Sequence, residues 1–317
     1  MYRKSALMTF YAESPIHMGA GQSVSYVDLP IQRERHTSFP VLWASGIKGV
    51  IRDQASRSWN DNDKVETIFG PTDGSSDFAS CISITDAKIL LYPVRSVKGV
   101  FAWITCPFVL NRFKEDIRAI GLYLKHNDQE IKIPAVSDDK VIIPNDNLKI
   151  QEHNVALEEF VFEVDESQKQ QVDQKQQIAN LAQFLKSILP DNTLTQSLEN
   201  HLAIVSDNVF KDFVNYAVEI RTGVRIDQAR GTVKEGALFT EELIPSESIF
   251  YLLLFIKEPF KPNSKMDAET VFSEINSLLS GNSLLQLGGD ETTGKGYVRV
   301  KLCSTNHSGG GKHEKNS

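Results

Sequence analysis

The segment GGDETTGKGYV, residues 288–298, decides how the end of the chain folds, because from Gly289 it matches the G-x-x-x-x-G-K pattern of phosphate-binding loops. Such a loop needs a strand before it, a helix after it and a hydroxyl group directly after the lysine. Here Gly296 follows Lys295, and residues 297–302 (YVRVKL) alternate apolar and polar side chains, which predicts a strand. The sequence therefore argues against a nucleotide hydrolase and predicts no nucleotide cofactor. Two interpretations stay open: a glycine-rich backbone with free N–H groups that grips phosphate, or a turn before the last strand.

The composition is that of a globular protein with a substantial core. The 317 residues are 41% hydrophobic and 24% charged, enough for one large domain or two ordinary ones. The longest apolar run, residues 249–256, is too short to cross a bilayer, and the N-terminus lacks the apolar centre of a signal peptide. The three cysteines show no C-x-x-C spacing. These features predict a cytoplasmic protein with no membrane association, no disulfide framework and no zinc site.

Charge is unevenly distributed along the chain. The net charge of −7 argues against a protein that coats nucleic acid without specificity. Residues 31–57 and 221–235 nevertheless carry more cations than anions, whereas acidic residues concentrate near 152–166. An acidic chain with local basic patches is expected to bind an anion at defined places.

Periodicity predicts the main elements of an α+β fold. Strands are expected at 4–13, 82–92, 98–105, 248–257 and 297–302, and helices at 107–120, 172–189, 207–216 and 268–279. A turn at Ser45 and Gly46 is expected to precede a further helix that ends near Trp59. Asp207 is expected to cap its helix, Gly281 to end the last helix, and Trp43 and Phe39 to lie in the core.

The order of these elements predicts a ferredoxin-like (RRM-like) β-α-β-β-α-β core with large insertions. The core is assigned to residues 1–106 and 246–303, an inserted helical and mixed region to 107–223, a β-hairpin to 224–245 and a disordered tail to 304–317. A ferredoxin-like core is a frequent RNA-binding platform, although a fold alone does not assign a function.

Four segments together resemble one known family: SPIHMGAGQSVSYVDLPIQRERHTSFPV (14–41), ASGIKGVIRD (44–53), VRIDQARGTVKEGALFTEELIP (224–245) and GGDETTGKGYV (288–298). The combination is similar to the RAMP superfamily of CRISPR proteins, and within it to the repeated backbone subunit of the type III-B Cmr effector complex. The glycine-rich segment is general to the superfamily, and the segments around residues 27–34 and 231–242 are more specific. The resemblance favours RNA binding over nucleotide hydrolysis for residues 288–296.

The resemblance implies a guide-bound endoribonuclease. Copies of such a subunit stack along a CRISPR RNA together with other Cmr subunits, and a hairpin "thumb" from each copy interrupts guide–target pairing. Target RNA is then cut at regular intervals in a metal-dependent reaction by an aspartate on the loop after the first strand, which here is Asp28. The expected cofactor is a divalent ion, Mg²⁺ or Mn²⁺, held by Asp28. The alternative is a structural RNA-binding subunit in which Asp28 does not cut.

Each candidate residue has an ordinary structural interpretation beside the functional one. Asp28 alone could form a local turn, and His17 on the same loop is either an acid/base group, an RNA contact or structural. Glu241 and Glu242 either approach a neighbouring copy or form a solvated face. The remaining candidates are expected to contact RNA: Arg33, Arg35, Ser45, Gly46, Lys48, Gly49, Arg52, Arg225, Arg230, Gly289, Gly294, Lys295 and Gly296.

Overall fold

The computed structural model describes residues 2–22, 27–72, 78–151, 153–165, 171–227, 229–280 and 284–304. The side chains of residues 171–174, 225 and 234–237 lie outside that description. The tail predicted to be disordered, 304–317, lies outside the described residues except for Ser304, which belongs to the last strand and so contradicts the predicted start of the tail. The predicted helix end at Gly281 also lies outside the described residues.

The strands and helices alternate irregularly, as an α+β fold requires. The strands are β1 (Lys4–Ala12), β2 (Val41–Leu42), β3 (Ile82–Ile84), β4 (Ala87–Arg95), β5 (Phe101–Thr105), β6 (Lys125–His126), β7 (Gln129–Glu130), β8 (Lys140–Val141), β9 (Lys149–Gln151), β10 (Asn154–Leu157), β11 (Phe160–Val164), β12 (Leu202–Ile204), β13 (Glu219–Asp227), β14 (Thr232–Leu243), β15 (Ile249–Ile256), β16 (Leu284–Gln286) and β17 (Tyr297–Ser304). The helices are α1 (Ala44–Trp59), α2 (Asn62–Phe69), α3 (Pro107–Ala119), α4 (Gln171–Ile188), α5 (Thr193–Gln196), α6 (Asp207–Tyr216) and α7 (Ala268–Leu279). The α+β prediction is confirmed.

The largest sheet in the described part of the chain has the strand order β12-β5-β4-β15-β1-β17-β16, with β2 beside β4 and β3 beside β15. Its four central strands, β4, β15, β1 and β17, pair antiparallel throughout. Strand β15 (IFYLLLFI) is buried at every position but one, which explains its unbroken apolar sequence. The sheet therefore has a covered core on both faces.

Helices cover each face of this sheet. Helix α7 packs on β1, β15 and β17 and contacts α1. On the opposite face, Tyr251 donates a hydrogen bond to Asp116 of α3 at 2.7 Å, and Thr9 donates one to the carbonyl of Ile188 in α4 at 2.6 Å. Thr9 and Tyr251 are paired across β1 and β15, so α3 and α4 share one face.

The part of the chain between α3 and β13 contains two small sheets among its described residues. Strands β8, β11, β10 and β9 form one, β6 and β7 form another, and α4, α5 and α6 complete the region. The expected cap of α6 was wrong by one residue, because Ser206 is the N-cap and accepts a hydrogen bond from the Val209 amide at 3.2 Å. Asp207 instead accepts one from the Phe108 amide at 2.8 Å and so caps the start of α3.

Several predicted boundaries differ from the structure for local reasons. The strand expected at 82–92 is two strands, β3 and β4, and β5 begins at Phe101 because Gly99 and Val100 adopt positive φ in the preceding turn. Helix α1 begins at Ala44, whose amide donates to Asp86 at 2.8 Å, so Ser45 and Gly46 lie in its first turn and not before it. Phe39 is buried as expected, but Trp43 is 49% exposed and does not belong to the core.

Two further expectations concern the protein's environment. No helix among the described residues is long and apolar enough to cross a membrane. The three cysteines, Cys81, Cys106 and Cys303, are all free thiols.

Candidate cleavage site

The loop that follows β1 lies against the returning strand of the β13–β14 hairpin. The Leu29 amide donates to the Thr240 carbonyl at 3.0 Å, and the Glu242 amide donates to the Leu29 carbonyl at 3.0 Å. Ile16 and Ile244 exchange a pair of backbone hydrogen bonds, each 2.9 Å long. Leu29 therefore forms an isolated parallel bridge with Glu241 of β14, and the position of this loop depends on the base of the hairpin.

Asp28 is exposed beside this bridge and is held by Thr240. Its Oδ2 accepts hydrogen bonds from the Thr240 amide at 2.7 Å and from the Thr240 hydroxyl at 2.9 Å. The Asp28 amide donates in turn to the same hydroxyl at 3.0 Å. These hydrogen bonds, the backbone one foremost, hold the pKa of Asp28 below its usual value. No described residue donates to Oδ1, so that oxygen remains available to a ligand.

His17 is fixed by the same strand. Its Nδ1 lies 2.9 Å from the carbonyl of Glu242, and because a carbonyl can only accept, Nδ1 carries the proton. Nε2 is then the basic nitrogen of the neutral ring. A Cβ added at Gly19 would lie 2.8 Å from Nε2, so the glycine leaves room at that atom.

Arg33 and Glu242 form a largely buried pair beneath the loop. Arg33 donates to Glu242 Oε1 at 2.5 Å and to the carbonyls of Ser38 and Val214 at 2.8 and 3.0 Å. Glu242 Oε2 also accepts from the Ile31 amide at 2.9 Å. The guanidinium group predicted to touch phosphate is thus occupied with internal contacts. Glu242, expected either at a neighbouring copy or on a solvated face, is 7% exposed and holds its own chain's loop.

Lys295 lies in a second buried cluster. Its ammonium group contacts Glu241 and also Asp290, the latter at 2.9 Å. Burial alone would lower the pKa of Lys295, but the two carboxylates outweigh that effect and raise it. The Lys295 hydrogen bond is also the main reason that the pKa of Asp290 is lowered. Lys295 and Glu241 are each 7% exposed, so Glu241 does not form a solvated face either.

The glycine-rich segment packs against the loop after β1, and several of its amides are already hydrogen-bonded. Gly289 donates its N–H to the His17 carbonyl at 2.9 Å, and Gly296 donates to the Pro15 carbonyl at 2.8 Å. Gly288 and Gly296 have φ near +88° and +81°, and a Cβ at either would lie within 2.3 Å of a carbonyl oxygen. The amides of Gly294 and Lys295 bond within the segment itself, to Glu291 and Asp290. The expectation of free N–H groups was therefore wrong for Gly289, Gly294, Lys295 and Gly296, whereas the predicted strand after Lys295 is confirmed as β17.

These segments enclose one open cavity of about 550 Å³. Its lining side chains combine a histidine, three carboxylates, an amide and three apolar groups: His17, Asp28, Glu241, Asp290, Gln22, Leu29, Leu238 and Phe239. Asp290, Thr240 and Phe239 were not among the site residues expected from the sequence. Thr240 and Phe239 lie within the hairpin motif, but the motif gave no sign that they face the loop after β1.

The donor set bears on the expected metal ion. Within the described residues, no cluster of three or more His, Cys, Asp or Glu could hold a metal. Glu241 and Asp290 are paired with Lys295, whereas Asp28 forms no ion pair with any described residue and is the carboxylate in the cavity without a cation of its own. Mg²⁺ accepts one or two carboxylates completed by water and phosphate oxygens. The residues therefore fit an ion shared with RNA, and they do not fit an all-protein metal centre.

The remaining candidate RNA contacts lie apart from this cavity. Ser45, Gly46 and Gly49 are exposed on the first turns of α1. Lys48 is half-buried, and its ammonium group lies 3.4 Å from the Ile82 carbonyl. Burial lowers the pKa of Lys48. Arg52 donates to the Gly70 carbonyl at 2.8 Å.

Two basic positions lie at turns. Arg35 is exposed on the turn that precedes Phe39, and Arg230 is exposed at the hairpin tip. The side chain of Arg225 lies outside the described residues. The paired part of the hairpin begins at Glu219, opposite Leu243, and so starts before the predicted boundary at 224.

Comparisons with known proteins agree with the resemblance seen in the sequence. The model of the RAMP superfamily matches residues 9–299. A curated relative from Pyrococcus furiosus, the CRISPR system Cmr endoribonuclease Cmr4, is 37% identical over 309 residues, which cover 97% of this chain and 98% of the relative. The CRISPR system CMR subunit Cmr4 of Saccharolobus solfataricus is 25% identical and covers 93% of this chain and 98% of its own. The crystal structure of oligomeric Cmr4 from Pyrococcus furiosus is similar with a TM-score of 0.71 at 33% identity, covering 95% of this chain and 98% of that chain.

Proposed function

Because this chain belongs to the RAMP superfamily, we propose that it is the CRISPR RNA-binding backbone subunit of a type III-B Cmr effector complex and that it cuts guide-complementary target RNA at Asp28. The observation that carries the proposal is the Asp28 carboxylate, oriented by Thr240, with one oxygen open to a cavity large enough for a nucleotide. The Pyrococcus relative, which is similar over almost its whole length, is named as an endoribonuclease.

In the proposed cleavage of RNA, the protein mainly orients the reacting groups and transfers protons. RNA carries its own nucleophile, the 2′-hydroxyl, and stacked A-form geometry prevents in-line attack until a nucleotide is splayed out. In this proposal the cavity beside Asp28 receives that nucleotide. A bound Mg²⁺ or Mn²⁺ at Asp28 would supply charge stabilisation at the scissile phosphate. His17, with Nε2 as its basic nitrogen, is the proposed proton-transfer group.

The proposed partners follow from the same comparison. The oligomeric crystal form of the Pyrococcus protein supports stacking of further copies of this chain, and its name supports other Cmr subunits as neighbours. We assign guide contact to the exposed first turns of α1, where Ser45, Gly46 and Gly49 leave backbone accessible beside Lys48. The exposed Arg35 and Arg230 are proposed as additional phosphate contacts.

We also propose that β1, α1, β4, β15, α7 and β17 form a ferredoxin-like core. In chain order these elements give β-α-β-β-α-β, and their four strands are adjacent and antiparallel. On this assignment the loop after β1 and the glycine-rich segment before β17 enter the same side of the core, because β1 and β17 are antiparallel neighbours.

The test is cleavage of a labelled target by the reconstituted complex. Asp28→Asn keeps the size of the side chain and removes its charge, so assembly and target binding should persist while cleavage falls by at least about 100-fold. Chelation of divalent ions should stop cleavage by the unaltered complex. Asp128→Asn, at an exposed turn with positive φ that asparagine also tolerates, is the matched control and should cut normally.

Each outcome has a distinct meaning. A regular product ladder at the normal rate from Asp28→Asn would contradict the catalytic assignment and leave a structural RNA-binding subunit as the function. Undiminished cleavage after chelation would contradict the proposed metal ion but would leave the role of Asp28 untouched.

A further inference from the structure

We propose that Thr240 is a positioning residue for cleavage, which couples the base of the β13–β14 hairpin to the orientation of the Asp28 carboxylate; this inference rests on the proposed function of Asp28. Three separate groups of Thr240 form hydrogen bonds with the loop after β1. Its amide and its hydroxyl donate to Asp28 Oδ2, and its carbonyl accepts from the Leu29 amide. No other described residue makes hydrogen bonds to the Asp28 carboxylate.

The hydroxyl of Thr240 bonds Asp28 at two points. It donates to Oδ2 at 2.9 Å and accepts from the Asp28 amide at 3.0 Å. An oxygen that is both donor and acceptor to one residue fixes that residue's backbone and its carboxylate together. With Oδ2 saturated, Oδ1 is the oxygen left for a ligand in the cavity. Loss of the hydroxyl would leave the carboxylate held by the Thr240 amide alone, while the backbone hydrogen bonds between Leu29 and β14 stay in place.

The location of Thr240 makes it sensitive to the hairpin. Thr240 is paired with Thr222 across β13 and β14, and Phe239 beside it lies over Gly223, where an added Cβ would come within 2.8 Å of three ring atoms. Phe239 also lines the cavity that contains Asp28. Because successive strand residues point to opposite faces, the adjacent residues Phe239 and Thr240 contact different neighbours. A shift of the hairpin base would therefore move the cavity wall and the carboxylate together.

The experiment compares Thr240→Val, Thr240→Ser and Thr222→Val in the reconstituted complex. Valine matches threonine in shape and suits a strand but lacks the hydroxyl, serine keeps the hydroxyl, and Thr222→Val makes the same change directly across the hairpin. Removing a partner that orients a ligating carboxylate typically costs 10- to 100-fold in activity. Since the backbone bonds of Thr240 remain, we expect Thr240→Val to slow single-turnover cleavage by about 10-fold. Serine should restore most of the rate, and Thr222→Val should cut normally.

Two readouts separate positioning from general damage. Target affinity and complex assembly should be unchanged by Thr240→Val, so that the loss falls on the rate and not on binding. Amide hydrogen exchange at Asp28 should accelerate in Thr240→Val and not in Thr222→Val, because the Asp28 amide loses its acceptor.

The outcomes are distinguishable from failure of the proposed function. If Asp28→Asn is inactive while Thr240→Val cuts at the normal rate, the positioning role is wrong and the catalytic assignment stands. Equal losses from Thr240→Val and Thr222→Val, or no rescue by serine, would also overturn it. If Asp28→Asn cuts normally, the catalytic assignment fails and the positioning role fails with it.

Discussion

Lys295 and Lys48 carry the same charge, and both were predicted to contact RNA, yet their surroundings differ. The side chain of Lys295 is 8% exposed and lies between Glu241 and Asp290. The ammonium group of Lys48 has one long contact, to the carbonyl of Ile82, beside an exposed helix terminus. A cation that already neutralises two carboxylates gains little from a phosphate, whereas one with a single weak contact retains its capacity to attract one.

We therefore expect substitution of Lys295 to lower the stability of the fold, and substitution of Lys48 to weaken RNA binding. Lys295→Met leaves Glu241 buried without its cation, and breaking such a pair destabilises by about 3 kcal/mol. Lys48→Met should change stability little but should reduce the salt dependence of guide RNA binding by about 0.7 in log–log slope, which is one phosphate's share for a single strand. Denaturant unfolding of the isolated subunit and filter binding across salt concentrations measure the two effects.

The two variants serve as controls for each other. A normal denaturation midpoint for Lys295→Met together with a reduced salt slope would make Lys295 an RNA contact after all. An unchanged slope for Lys48→Met would make it an ordinary surface residue.

At the scale of the elements, the β13–β14 hairpin carries several apolar side chains that the rest of the chain leaves exposed. Its side chains Ile220, Val224, Ile226, Val233 and Leu238 are apolar yet 46–66% exposed. A two-stranded ribbon is marginal in water, and exposed apolar groups on it are typical of a surface that another molecule covers. Among the described residues, backbone hydrogen bonds tie its base to the rest of the chain through Thr240, Glu242 and Ile244.

Shortening the hairpin should separate its role from that of the subunit's core. Replacing residues 228–234 with a short Gly/Ser turn should leave the isolated subunit folded, because this segment is exposed wherever its side chains are described. Assembly of the complex and cleavage should both be impaired, since a nucleotide that is not displaced cannot reach in-line geometry at Asp28. Circular dichroism, sizing and a cleavage assay measure these outcomes.

A second hairpin in the same chain provides the control. Asn127 and Asp128 form the turn between β6 and β7, both with positive φ, and Gly-Gly at these positions should alter neither assembly nor cleavage. If the shortened β13–β14 hairpin gives normal assembly and normal cutting, that hairpin has no thumb role.

Sequence reasoning worked where a pattern lies within one element and failed where distant contacts decide. The buried strands β1 and β15 and helix α7 were predictable from apolar periodicity alone. The start of α1 was not, because it depends on the Asp86 carboxylate.

The same distinction holds for the site. Asp28 was identified from its motif, but the contact with Thr240 joins residues far apart in sequence. The glycines of residues 288–296 were recognised as unusual, yet their amide partners, Pro15 and His17, could be known only from the packing of the first loop.

At the scale of the whole molecule, the carboxylates make the fold sensitive to acid. Hydrogen bonds or cations lower the folded-state pKa of six described carboxylic acids: Asp28, Glu130, Asp138, Asp146, Asp267 and Asp290. Such groups stabilise the fold above their unfolded pKa, and that contribution is lost as the pH falls through the folded-state value. Glu247 is opposite, since burial foremost, and then Glu13, raise its pKa, so its charge opposes folding at neutral pH.

The balance of lowered and raised pKa values predicts how Tm changes with pH, and Glu247→Gln is a matched variant that tests it. The Tm of the isolated subunit should fall as the pH is lowered from about 6 to about 3, because more of these groups have a lowered pKa than a raised one. Glu247→Gln removes the opposing charge, so its Tm should exceed that of the unaltered protein at pH 7, and the difference should vanish near pH 3, where Glu247 is protonated in both states. Calorimetry of both proteins across this range measures the effect. A Tm that stays constant down to about pH 3, or a Glu247→Gln advantage that persists there, would contradict this account of the charges.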